Sequence, residues 1–372
     1  MYTNARSSSP TRALITGGMG FIGSHLSESL LQKGYHVTVV DNTSTGQFRN
    51  IEHLVGNPNF HFAIDDISNQ TVTDRLVSEC DVVFHMAASV GVQLIVENPV
   101  QTVTNNVIGT DEILKAAVRY RTKVLIASTS EVYGKGISIP FTEDDDVVLG
   151  PTSRSRWAYA ASKMIDEFLA LAYYRQTGLP VVVFRLFNTV GPRQRGRYGM
   201  VIPRFVRQAL EGQPITIYGD GKQSRCFLHV RDAVAAIVAL NETPQAVGQV
   251  FNIGSHEEVN IQELAHQVLA HVDAYHQGIP FEQMPISTNG AMDERLRYIP
   301  YSDAYPPGFE DMRRRVPNTA KLTAYTGWQQ TRNLSETLQD VITEFVAQAA
   351  RDAAAEPEPQ LIAYPTAVAV AA

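Results

Sequence analysis

The sequence predicts an α/β fold: a doubly wound parallel sheet with a smaller, loop-rich C-terminal domain. Short apolar runs alternate with segments of helical spacing. The runs are continuously apolar rather than alternating, as expected of parallel strands covered on both faces. The length, 372 residues, suits about two domains. In chain order, 12–18 (RALITGG) reads as a strand running into glycines, and 21–34 as a helix stopped by Gly34. Residues 35–42, 60–67 and 81–88 read as further strands, 103–121 as a helix, and 123–129 (KVLIAST) as a strand. A long helix over 156–178 leads into a strand over 180–188. Beyond it, 189–199 is a Gly/Arg loop. Helical spacing returns at 200–212, 259–272 and 333–350, with strands at 215–219 and 251–255. From 278 to 317 little periodicity is visible.

Composition narrows the function classes. Hydrophobic residues make up 44% and charged residues 19%, with a net charge of −7 and no long basic run. Nucleic acid is therefore not an expected partner. No run reaches the roughly 18 apolar residues needed to span a bilayer. The first ten residues lack the apolar core of a signal peptide. Cys80 and Cys226, the two cysteines, offer neither metal-ligand spacing nor a disulfide framework, and suit a reducing cytoplasmic setting. Residues 1–10 and 348–372 are expected to be disordered tails.

The strongest local motif is TGGMGFIG at 16–23. Gly18, Gly20 and Gly23 match G-x-G-x-x-G, and Gly17 adds a G-x-x-G-x-x-G spacing. Such glycines allow a tight turn, backbone approach to a pyrophosphate, and close helix–strand packing. The helix opening at Phe21 and Ile22 points its first amides at that anion. An acid, Asp41, ends the next strand, 18 residues after Gly23. It would accept hydrogen bonds from the adenosine ribose and repel a 2′-phosphate, so NAD is favoured over NADP. The fold class is thus Rossmann-type, with residues 11–188 as the NAD-binding domain and 229–255 returning to it. Asn42 follows the acid. Asp65, Asp66 and Ile67 either meet the adenine edge or cap a helix. Ala87 and Ala88 suggest close backbone approach to the cofactor, and His85 reads as a satisfied structural histidine.

Tyr159 and Lys163 form Y-x-x-x-K on one face of the 156–178 helix. A phenol is a poor base at neutral pH. An ammonium roughly 4 Å away would favour phenolate by about 4 kcal/mol at an effective dielectric near 20. One helix earlier, STSEVYG at 128–134 sets Glu131 at a strand end, where charge is costly unless solvated, paired or used.

The segments TGGMGFIG, HMAA, STSEVYG, YAASK, RLFNTVGPR, IYGDGKQSRCFLHVRD and FNIGS together resemble the extended short-chain dehydrogenase/reductases that act on nucleotide sugars. The resemblance covers about residues 11–347. It implies that Tyr159 takes a sugar hydroxyl proton as hydride leaves carbon 4 for NAD. It also implies a UDP-sugar site, assigned to 189–228 and 256–347. Asn188 and the loop arginines Arg193, Arg195 and Arg197 are candidates for the diphosphate side, with solvation the alternative for the arginines. Arg225 would reach the diphosphate or ribose, and Tyr218 would flank the uracil. Arg204 is either a substrate contact or a helix-face residue. Ser130 and Thr129 would bond sugar or nicotinamide-side groups, with strand packing the alternative for Thr129.

Within this family the closest resemblance is to UDP-glucuronate decarboxylases, which carry T-S-E-V-Y-G and an R-x-P segment matching Arg315-Val316-Pro317. Oxidation at carbon 4 makes a β-keto acid, and carbon dioxide leaves as its electrons enter the new carbonyl. Glu131 would orient the sugar, repel the carboxylate or handle a proton through water. Arg315 would bind the carboxylate or order that water, although Arg313 and Arg314 leave the register open. The product is UDP-xylose or UDP-4-keto-xylose. The 4,6-dehydratases pair this acid with an aspartate, where this chain has Ser130. UDP-glucuronate 4-epimerase is the alternative, and Asn188, where its bacterial members tend to have threonine, favours decarboxylation. A catalytically silent NAD-sensing regulator is a further alternative. The stretch 275–300 departs from the family. The helices at 105–119 and 157–175 carry apolar residues outside the sheet-facing stripe, such as Met164, Phe168 and Leu171; the resemblance implies a homodimer through these helices, with a face buried in the monomer as the alternative.

Overall fold

The computed structural model describes residues 10–88, 99–196, 200–280, 293–304 and 312–354. Arg197, the terminal stretches 1–9 and 355–372, and much of 278–311 lie outside the described residues.

The seven predicted core strands are all present, and all pair in parallel. They are β1 (Arg12–Thr16), β2 (His36–Asp41), β3 (Phe60–Ile64), β4 (Val82–His85), β5 (Lys123–Thr129), β6 (Val181–Leu186) and β11 (Val250–Ile253). Their order across the sheet is β11-β6-β5-β4-β1-β2-β3. Helices cover both faces, so the central strands β4 and β6 are buried almost throughout, while the edge strand β3 is mostly exposed. Leu26 and Leu30 of α1 (Phe21–Gln32) join Ala233 and Ile237 on one face. On the other, Val77 of α2 (Gln70–Ser78) packs with Ile113 and Ala117 of α3 (Pro99–Tyr120) and Ala170 of α4 (Arg156–Thr177). Strand order reverses between β1 and β4, the place where such sheets open a binding crevice at their carboxyl ends.

A second core lies beyond β6. It joins Phe205 of α5 (Val201–Leu210), Ile215 and Ile217 of β8 (Ile215–Tyr218), and residues of two later helices. Short pairs complete this part: β7 (Thr189–Val190) with β10 (Leu228–His229), and β9 (Ser224–Cys226) with β12 (Glu258–Asn260).

Several elements exceed the sequence reading. Helix α6 (Val230–Glu242) was not anticipated. Eight of its residues are buried, so its apolar positions do not fall into one stripe. Helix α2 was also missed; it has only nine residues and buries two. Strand β13 (Leu296–Ile299) lies in the stretch without visible periodicity and pairs in parallel with β8. Its side chains stay half-buried or exposed, which erases any apolar run. Helix α7 spans Ile261–Gln277, and α8 spans Leu334–Ala354, seven residues into the segment expected to be a tail. Arg351, paired with Glu344 at 2.8 Å, braces that last turn.

Beneath the crevice a buried polar network ties β5, β6 and α4 together. Arg185 meets Glu167 through Nε–Oε1 at 2.9 Å and Nη2–Oε2 at 2.7 Å, and Ser128 donates to the same carboxylate. The guanidinium also lies over the Tyr133 ring, whose hydroxyl donates to Asn252 of β11. Removing one partner of a buried pair strands the other charge. Arg185→Met is expected to cost about 3–5 kcal/mol of stability in denaturant unfolding, with part recovered in the Arg185→Met/Glu167→Gln double variant.

Candidate active site

One cavity of about 530 Å³ runs along the carboxyl ends of the strands and carries residues from both cores. Its cofactor-like end is built mainly from backbone. Gly17 has φ +70°, and a Cβ there would come 2.9 Å from the Ala87 amide. Gly23 lies against the Gly17 carbonyl with no room for a side chain. Gly20 caps α1 without a side-chain hydrogen bond, so the first-turn amides are left to an anion.

Asp41 lines the cavity at the end of β2. It accepts hydrogen bonds from the amides of Met19 at 3.0 Å and Thr43 at 2.8 Å. Burial raises its pKa, against the pull of those two amides. The acid therefore also braces the glycine turn. Asn42 donates to Asp66 at 2.7 Å. Burial pushes Asp66 upward, but hydrogen bonds from Ser68 and Asn42 prevail and hold it below the usual carboxylate range. Asp66 lines the cavity and accepts the Ser68 amide in the turn before α2, whose N-cap is Asn69. Phe21, Ile22, Ile67, Ala87 and Ala88 line the same end. His85 lies between the hydroxyls of Thr16 (2.8 Å) and Thr110 (3.0 Å), and burial lowers its pKa to about 3. It is a neutral, satisfied side chain. A cradle that excludes Cβ atoms, uncapped helix amides and a strand-end acid together fit a dinucleotide.

The other end is charged. Arg313 faces out to Asp220 and Arg314 to Glu258, while Arg315 turns inward, 2.8 Å from Glu131 Oε1. Tertiary structure thus fixes the arginine register. The segment is held by the Phe141 amide donating to the Val316 carbonyl. Glu131 Oε2 also meets Arg156 Nη2 at 3.3 Å. Burial would raise the Glu131 pKa, but Arg315 and then Arg156 bring it down to about 2. At neutral pH its two arginines hold Glu131 as an anion. Arg156 is a cavity residue that the sequence reading missed. Its signal was its place three residues before Tyr159, one turn away on the same helix face.

Tyr159, Ser130 and Thr129 also line the cavity. Thr129 accepts the Glu131 amide at 3.2 Å and caps the short turn at Ser130–Tyr133. Lys163 has a carboxylate partner that its spacing from Tyr159 did not reveal. Lys163 is buried and donates to Asp166 at 2.7 Å. Burial, then the charges of Glu131 and Asp166, push the Tyr159 phenol upward rather than down. The physical reason is local: Asp166 is three residues from Lys163, and a buried ammonium takes the nearest carboxylate.

The expected nucleotide residues gather further along. Asn188 donates to the Cys226 carbonyl at 3.1 Å, and Arg225 donates to the carbonyls of Ser224 (2.7 Å) and Met312 (2.9 Å). Arg204 stacks 3.8 Å above the Tyr218 ring and donates to the Thr216 carbonyl. All four line the cavity, as does Arg195. Arg193 lines it too but reaches α1, pairing with Glu28 and donating to Ser24.

This combination of a dinucleotide cradle, a tyrosine–lysine helix and a second, arginine-lined lobe defines a nucleotide-sugar-type dehydrogenase fold. The chain belongs to the GDP-mannose 4,6-dehydratase family, whose model matches residues 14–341. It is 43% identical over 336 residues to a UDP-N-acetyl-alpha-D-glucosaminuronate decarboxylase of Bacillus cytotoxicus, covering 88% of this chain and 97% of that one. It is 35% identical to UDP-glucuronic acid decarboxylase 1 of Danio rerio, covering 90% and 72%. A variant UDP-glucuronic acid 4-epimerase from Bacillus cereus, solved with NAD and a 4-deoxy-4-fluoro UDP-glucuronic acid, superposes with a TM-score of 0.76. It shares 28% identity, over 91% of this chain and all of the other.

The Glu131 pKa sets a pH window. Its folded value, about 2, lies below the ordinary 4.5, so its stabilisation is full above about pH 4.5 and is lost as pH falls through 2. Thermal melts should therefore find Glu131→Gln less stable than the unaltered protein at pH 5–7, with the gap closing towards pH 2.

Proposed function

We propose that the protein decarboxylates UDP-glucuronate through a 4-keto intermediate, giving UDP-xylose or UDP-4-keto-xylose, with NAD as its cofactor. The observation that carries this reading is that Arg156 and Arg315, from distant parts of the chain, converge on Glu131 in the cavity that Tyr159 also lines. Guanidiniums suit a carboxylate-bearing sugar such as a uronate. The decarboxylase relatives support the reading.

NAD, when bound, accepts a hydride from carbon 4 of the sugar and can return it. Gly17, Gly20, Phe21, Ile22, Gly23, Asp41, Asn42, Asp66, Ile67, Ala87 and Ala88 would hold it. Tyr159 takes the carbon 4 hydroxyl proton, with Lys163 as its helix partner and Thr129 and Ser130 beside it. Arg315 and Arg156 orient the carboxylate. The fixed charge of Glu131 keeps their grip from over-stabilising that carboxylate, whose charge must disperse as the carbon–carbon bond breaks. Asn188, Arg195, Arg204, Tyr218 and Arg225 take the nucleotide, with Arg204 holding Tyr218 as a ready platform.

The 43% relative favours a second substrate reading, a uronate bearing a 2-acetamido group. We also infer a homodimer through α3 and α4. Phe168, Ile165 and Ile108 are exposed there, whereas Met164 packs inward near Tyr133 and Leu171 is half-buried. The two free, buried cysteines support a reducing, cytoplasmic setting.

Mass spectrometry of the protein with NAD⁺ and UDP-glucuronate should find carbon dioxide and a UDP-pentose, with the 2-acetamido uronate run in parallel. UDP-galacturonate without gas would mean epimerisation instead. Glu131→Gln should retain NAD but release carbon dioxide about 10²-fold more slowly, the scale of a lost charge interaction of about 3 kcal/mol.

A further inference from the structure

Two buried carboxylates at this end of the cavity, Glu131 and Glu167, are held by arginine. Glu131 has Arg315 and Arg156, and Glu167 has Arg185. The counter-ion of Asp166 is Lys163, at 2.7 Å, in a pair with almost no solvent contact. A hydrogen-bonded chain leads to this carboxylate from the cofactor-like end. The Ala87 amide donates to Thr16 Oγ1 at 3.1 Å, Thr16 meets His85 Nδ1, and His85 Nε2 meets Thr110 Oγ1. His85 is neutral, and the Thr110 interaction with Asp166 sets the direction of the chain. Thr16 donates to Nδ1, Nε2–H donates to Thr110, and the Thr110 hydroxyl proton is left facing Asp166. Thr110 lies close enough to lower the Asp166 pKa, although Oδ1 makes no hydrogen bond of good geometry.

We propose that Asp166 is a positioning residue that holds the Lys163 ammonium at its own carboxylate and so sets the pH at which Tyr159 can take the sugar proton. The inference rests on Tyr159 being the base in the function proposed above. From the β5 end, Tyr159 faces the Glu131 carboxylate, which pushes the phenol upward although two arginines hold it, and the Thr129 hydroxyl. From its own helix it faces Asp166. Asp166 in turn faces Lys163, Glu167 and Thr110, and the neutral His85 faces Lys163. Of these groups, Asp166 alone can mask or release the lysine charge. Its negative charge also opposes phenolate directly, so both effects have one sign. With Asp166 ionised the tyrosine holds its proton. When the lysine charge is uncompensated, phenolate forms at lower pH.

The test is ultraviolet titration of tyrosinate on the full chain as purified, taking the signal that Tyr159→Phe removes. It needs no turnover, so it stands apart from any failure of the substrate assignment. Asp166→Asn should lower the apparent Tyr159 pKa by about one unit or more, and Asp166→Glu should return it towards the original. Lys163→Met combined with Asp166→Asn should reverse most of the shift. If Asp166→Asn melts too early to titrate, Asp166→Ser is expected to give the same downward shift. A Tyr159 pKa unchanged in a folded Asn or Ser variant overturns the proposal, because a merely structural aspartate would lower stability without moving the titration.

Discussion

The sugar end of this protein depends on one carboxylate shared by two guanidiniums. Glu131 sits where water is scarce, and an unpaired charge there would be expensive. Arg156 comes from the first turn of α4, and Arg315 from a segment 184 residues beyond Glu131. Satisfying Glu131 therefore draws the C-terminal lobe over the sheet and sets α4 against the end of β5.

The two ends of the cavity use different physics. At the glycine turn, recognition is written in backbone: missing Cβ atoms and uncapped amides. That geometry is local, and a short stretch of sequence specifies it. At the sugar end, recognition is written in charges whose partners come from remote segments. There a single residue means little until its neighbours are known. The buried Arg185–Glu167 pair stands between the two, fixing strand ends so that the charged groups cannot drift.

Lys163 illustrates the limit of spacing arguments. Y-x-x-x-K puts a phenol and an ammonium on one helix face, but K-x-x-D puts a carboxylate on the same face, nearer to the lysine charge. In a dry interior the ammonium takes the carboxylate, so tyrosine activation becomes a property of three residues. Met164 makes a similar point for packing. It lies outside the stripe facing the sheet, yet it turns towards the Tyr133–Phe141–Phe187 cluster, which belongs to no regular face.

The sequence by itself determined the parallel sheet, the glycine cradle with its acid, and the tyrosine helix. Each rests on contacts between near neighbours or on strand-long apolar runs. The α6 helix escaped because it is buried around too much of its surface for its apolar residues to form a stripe, and β13 because it is barely buried at all. Only the tertiary structure decided which of three consecutive arginines faces the cavity, that Arg156 joins it, and where the lysine charge goes. Those choices are made by ion pairs, most of them formed across long chain separations. A buried charge pairs with whatever opposite charge the fold brings nearest, and periodicity carries no record of that.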